Sequence, residues 1–157
     1  MTGKVDLILL AEKAGETMSE HASAELEIGK GIVGDRYYSS QGTFSEALAD
    51  ADDFQVTLIE QEQIDSFNQK TGFTYSGADF RRNIVTSGID LNALEGEIFT
   101  IGTQRLKGVR LCEPCGYLSK ILGPELMEHM VHKAGLRALI LDSGVISISD
   151  KLSKVTV

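Results

Sequence analysis

At 157 residues, 42% hydrophobic and 24% charged, the chain has the composition of one soluble globular domain, large enough to bury about two-thirds of its unfolded surface without staples. A net charge of −8 argues against general nucleic-acid binding, which needs a basic face to neutralise phosphates. No apolar run approaches the roughly 20 residues that span a bilayer, and two cysteines indicate a reducing compartment, so a cytoplasmic protein off the membrane is expected.

Short strand patterns dominate, in chain order. Residues 4–11 (KVDLILLA) read as a first strand rather than a signal peptide, since Glu12 and Lys13 follow with no small-residue cleavage site. Residues 23–28 alternate, with Ala24, Leu26 and Ile28 on one face. Residues 46–53 (EALADADD) are acidic and read as a solvated loop rather than a metal site. A strand at 54–59 leads into a helix over 60–70, with Ile64 and Phe67 on its apolar face and a stop at Gly72.

Strands are expected at 82–87, 97–101 and 104–111, the last two joined by the two-residue turn Gly102-Thr103. GYLSKIL, residues 116–122, is helical in pattern. A second helix is expected over 124–134, opened by Pro124 and stopped by Gly135, with Leu126, Met127, Met130, Val131 and Ala134 as its apolar stripe. RALILD and VISIS read as a hairpin about Ser143-Gly144, and KLSKVTV closes the chain. There is no internal repeat and no low-complexity linker, so one domain over 1–157 is expected, mainly β (α+β) and barrel-like, with a few short helices.

Three motifs carry candidate chemistry. GKGIVG matches the glycine spacing of a dinucleotide-binding loop at Gly29, Gly31 and Gly34. That motif needs a helix at its third glycine, and DRYYSSQG has no helical period, so the segment reads as a sharp turn between β segments. In LCEPC, Cys112-x2-Cys115 is followed after thirteen residues by His129-x2-His132, close to zinc-finger spacing. Gly123-Pro124 interrupts the helix a finger would need, and the histidines share the face of Glu125 and Glu128, away from the apolar stripe. A dithiol redox pair would need a βαβ setting that the neighbouring hairpins do not supply. A single reactive thiolate stays open. Arg36, Arg81, Arg82, Arg105, Arg110 and Arg137 lie among glycines and turn signals, where a local arginine pocket for a small anion is compatible with an acidic protein.

Taken together, GIVGD at 31–35, FRRNIVTSGIDLNALEGEIFTIG at 80–102, LCEPC at 111–115 and GLRALILDSGVIS at 135–147 resemble the MOSC domain, the C-terminal domain of molybdenum cofactor sulfurases. The resemblance implies a barrel-like fold and a protein that handles the molybdenum cofactor (molybdopterin) or its sulfur. It makes Cys115 the catalytic position and molybdenum ligand, with Cys112 a neighbour. It assigns Arg81, Asn83 and Arg137 to the pterin and phosphate of the cofactor, with Arg36 placed by position only. The activity implied is reduction of N-hydroxylated compounds by an external reductase; the alternative is a non-enzymatic sulfur (persulfide) carrier or cofactor-binding module fed by a sulfur donor protein. Pyridoxal phosphate belongs to fused sulfurase relatives, and no such domain is present in these residues, so a stand-alone member is expected.

Overall fold

The computed structural model describes residues 2–42, 45 and 54–156; the acidic run 46–53 lies outside them. Among the described residues eleven strands appear, β1 (Thr2–Leu10), β2 (Ser19–His21), β3 (Ser23–Glu27), β4 (Gly31–Ile32), β5 (Val56–Glu60), β6 (Ile84–Ser87), β7 (Ile98–Ile101), β8 (Gln104–Leu111), β9 (Leu136–Ile140), β10 (Gly144–Ser147) and β11 (Lys151–Lys154). The helices are α1 (Gln61–Thr71), α2 (Gly77–Phe80), α3 (Gly116–Leu122) and α4 (Glu125–His129), with a 3-10 turn at Leu91–Leu94.

Seven strands close on themselves in the order β1-β11-β7-β8-β9-β5-β6. The ring is sealed where Thr2 of the first strand pairs with Ser153 of the last. All pairings are antiparallel except β5 with β6. A parallel pair cannot be joined by a tight turn, so α1 and α2 make that crossover. β1 is long enough to pair with β11 through Thr2–Lys4 and then with β2 through Ile8–Leu10, while β6 holds its other edge. β10, β3 and β4 form a separate small sheet.

Two apolar cores result from the pleat of three strands. Ile8, Leu58 and Ile84 point into the barrel with Phe99, Leu106 and Leu136. Their chain neighbours Leu9, Ile59 and Val85 point outward and pack under the helices with Phe67, Phe80, Leu118 and Leu126. β1, β5 and β6 are therefore buried on both faces there, which is why Ile8-Leu9, Leu58-Ile59 and Ile84-Val85 set apolar residues side by side instead of alternating with polar ones.

The sequence-based expectations hold for β1, for the Gly102-Thr103 turn, where Ile101 faces Gln104, and for α1, which ends on Gly72 at φ 81 with its N–H on the Asn68 carbonyl. GKGIVG is a β3–β4 turn, with Glu27 facing Gly31. Four expectations are corrected. RALILD and VISIS do not pair, because β9 has both edges occupied by β8 and β5, and β10 joins β3 instead. Ile28 leaves the strand and is 54% exposed, out of line with buried Ala24 and Leu26. The helix expected over 124–134 stops at His129, leaving Met127 and Val131 exposed while Leu126, Met130 and Ala134 stay buried. Met130 leaves helical backbone at φ −113, and farther on His132 sits at φ 61, with its backbone N–H donating to the Glu113 carboxylate at 2.7 Å. His129, expected in solvent, packs edge-on against Phe67 with ring centroids 6.4 Å apart.

Candidate functional site

A small pocket of about 30 Å³ opens where the barrel meets the helices, and Arg36, Arg81, Arg82, Arg137, Thr57 and Cys115 line it, with Tyr37, Tyr117 and Leu118. Each residue arrives by a different route. Cys115 is the residue immediately before α3, in extended backbone at φ −128 and ψ 167, and its side chain is half-buried against the helical core. Cys112, at the end of β8, is 2% exposed and its N–H donates to the Gly135 carbonyl at 2.8 Å. The two thiols are thus unequal: one is packed away and one faces the pocket.

Arg137 lies on β9 with Thr57 of β5 directly opposite on one side and Arg110 of β8 opposite on the other. Arg36 comes from the loop after β4. Its neighbour Asp35 is 1% exposed and acts as an anchor: one carboxylate oxygen accepts from the Ala11 N–H and the Arg36 guanidinium, the other from the Tyr37 N–H. Arg36 also donates to the Arg81 carbonyl at 3.2 Å and lies over the Tyr37 ring, 4.9 Å from its centroid.

Arg81 follows α2 in the left-handed region, φ 59 and ψ 32, which swings its side chain toward the loop over 12–18, where it donates to the Glu16 carbonyl at 2.6 Å. Burial lowers the affinity of its guanidinium for the proton, and the Arg36 charge lowers it further. Its second terminal nitrogen is buried and makes no hydrogen bond among the described residues. A buried donor without a partner is costly, about 1–3 kcal/mol, and marks a place for an acceptor.

Asn83 belongs to the frame of the pocket and does not line it. Its amide oxygen accepts from the Thr57 N–H and hydroxyl, both at 3.2 Å, and its amide nitrogen donates to the Leu9 carbonyl at 3.2 Å. Since it ties β1, β5 and β6 together, it fixes Thr57, which does face the pocket.

The sequence reading gave Arg82 only as one of six arginines open to an anion pocket, and did not name Thr57, Tyr37 or Tyr117. Alternation along a strand through 82–87 would send Arg81 and Arg82 to opposite faces. The strand begins only at Ile84, and the left-handed turn at Arg81 lets both reach the same cavity. The zinc grouping does not assemble: His132 is bound to Glu113 at 2.7 Å, and no three His, Cys, Asp or Glu side chains converge among the described residues.

The residues present fit an anion with a soft-metal end. The unpartnered Arg81 nitrogen and the neighbouring guanidiniums suit phosphate oxygens, and a cysteine sulfur suits molybdenum. No helix among the described residues is long and apolar enough to cross a membrane.

Comparison with known proteins bears on the fold and the family. The crystal structure of the YuaD protein from Bacillus subtilis superposes with a TM-score of 0.80 at 17% identity, covering 97% of this chain and 94% of that one. YiiM from Geobacillus stearothermophilus gives 0.75 at 16% identity, over 98% of this chain and 75% of that one. YiiM from Escherichia coli gives 0.69 at 17% identity, over 100% and 71%. Identities this low establish a shared fold alone. No curated protein sequence matches the chain. The family model described as MOSC domain matches residues 45–153, well over half of the chain, and the chain belongs to that family.

Proposed function

We propose that this protein holds the molybdenum cofactor in the arginine-lined pocket, with Cys115 as a ligand to molybdenum, and reduces N-hydroxylated compounds with electrons from an external reductase. The observation that carries this reading is the convergence of Cys115, Arg36, Arg81 and Arg137 on one cavity, with a buried Arg81 nitrogen that has no partner. When bound, molybdenum supplies the electron-pair transfer that no side chain here can perform.

The chain's own residues do the rest. Arg81 and Arg137 bind the phosphate end, and Arg36, held by Asp35, keeps Arg81 in place through its carbonyl. Asn83 acts behind them, presenting Thr57 from below. Cys115 supplies its sulfur from the strand-to-helix junction, where its backbone is fixed by the Ser119 N–H donating to its carbonyl at 3.0 Å. Leu118 and the phenol rings of Tyr37 and Tyr117 form walls that limit water.

The test is the molybdenum and phosphopterin content of protein purified without added cofactor. The expected result is stoichiometric metal that is lost in Cys115→Ser. Metal-free protein bearing a persulfide on Cys115 would replace this reading with that of a sulfur carrier.

A further inference from the structure

Arg82 is the pocket residue whose placement the cofactor reading does not explain. It is 7% exposed and lines the cavity, yet its hydrogen bonds go to the main chain. Its Nε donates to the Ala134 carbonyl at 2.9 Å, and a terminal nitrogen donates to the Cys112 carbonyl at 3.5 Å. No carboxylate among the described residues lies within ion-pair distance of it. These two carbonyls belong to the two segments that bring the site together. Cys112 begins the CEPC loop that ends in Cys115, and Ala134 leads through Gly135 into β9 and Arg137. The Cys112 N–H closes the same junction on the Gly135 carbonyl. The planar fork of one guanidinium spans both segments, which a point ammonium cannot do.

We propose that Arg82 is a positioning residue, a clamp that holds the Cys115 loop against the strand of Arg137 and so sets where the sulfur stands relative to the anion-binding guanidiniums. Burying a guanidinium among carbonyls is expensive, and an apolar side chain of similar length would fill the space at lower cost. The charge is tolerated because the fork satisfies a carbonyl in each segment, beside the Leu111–Leu136 pairing and the Cys112 N–H on the Gly135 carbonyl that also tie this corner. The inference concerns the arrangement of the empty protein and stands or falls separately from the cofactor reading.

The test uses the full chain carrying Cys112→Ala, so that Cys115 is its only thiol, and measures the alkylation rate of Cys115 by neutral iodoacetamide. Temperatures well below each variant's melting point are used throughout. Arg82→Lys keeps the charge and loses the fork; it should react about fivefold faster or more, the factor that one ordinary hydrogen bond is worth. Arg82→Ala opens a slot of guanidinium shape, and added methylguanidinium should return its rate toward the parent's, whereas methylammonium should not. An unchanged rate in folded Arg82→Lys would overturn the proposal, because a residue that serves stability alone moves the melting point and not the folded-state reactivity. Equal rescue by methylammonium would overturn it as well, since charge rather than the fork would then be the agent. If Arg82→Ala does not fold, the Arg82→Lys rate decides.

Discussion

The barrel interior and the pocket beside it are built from the same strands on opposite principles. Inside, Ile8, Leu58, Ile84, Phe99 and Leu136 fill the space, and every position is defined by shape. Outside, where β5, β6 and β9 end beneath the helices, Arg36, Arg81, Arg82 and Arg137 share a cavity, and position is defined by directional bonds to carbonyls and to Asp35. A packed interior can absorb a small change by repacking. A cluster of like charges cannot, because Arg36, Arg81 and Arg82 are each held by specific acceptors and like charges repel. On the polar side Arg81 combines left-handed backbone with a buried donor that has no partner among the described residues.

The two cysteines give the largest expected contrast. Cys115→Ser should abolish molybdenum retention, while Cys112→Ala, a change on the packed side, should keep most of the metal and lower the melting point modestly. Metal analysis of the two purified variants checks this, and equal loss in both would erase the distinction.

Gly135→Ala tests the seam between the two regions. A β-carbon there would lie 2.0 Å from the Leu58 carbonyl oxygen, on a residue with φ +118. Backbone must move on both sides, so a loss of about 3–5 kcal/mol is expected, read from denaturant unfolding. A loss below about 1 kcal/mol would show that β5 and β9 can separate at small cost.

Arg81→Lys tests the polar side alone. Lysine keeps the charge and loses the fork, so cofactor affinity should fall about 10- to 100-fold, the value of one charge-assisted hydrogen bond. Melting should change little. Unchanged affinity in folded protein would remove Arg81 from the site.

The smallest effect concerns Glu60, the residue before α1, whose half-buried carboxyl is pushed up to about 7, chiefly by burial. Its Leu91 N–H partner pulls the other way, and the charges of Asp90 and Glu62 add to the rise. The folded state binds this proton more tightly than the unfolded chain does. Glu60 therefore contributes stability in full below the ordinary glutamate range and loses it as pH climbs through about 7. Glu60→Gln cannot ionise, so it should match wild type near the ordinary glutamate value and exceed it by about 1–2 kcal/mol above neutrality, a figure reduced for solvent screening. Melting curves across that range decide, and a constant difference would exclude ionisation as the cause.

Much of the fold was legible because its signals are local. The Gly102-Thr103 turn, the stop at Gly72 and the apolar runs of β1, β5 and β6 each follow from a few adjacent residues. The β9–β10 hairpin was misread because a turn-like Ser-Gly looks the same whether or not the strands beside it are free to pair. At the site, Cys115, Arg81 and Arg137 were picked out through the family resemblance, while Arg82 stood only among six candidate arginines, because the left-handed turn that brings it to the same cavity as Arg81 breaks strand alternation.

By itself the sequence determined most of the strands and the helix that ends at Gly72, that an acidic chain carries a few arginines in turn-rich places, and, through the family resemblance, which cysteine of two is the candidate thiolate. Only the tertiary structure decided that the ring closes between Thr2 and Ser153, that Asn83 supports the pocket instead of lining it, and that Arg82 spans Cys112 and Ala134. The physical reason is range. Secondary structure is set by neighbours a few bonds apart, whereas the pocket depends on long-range strand register, which no local pattern encodes and which moves every side chain when it shifts.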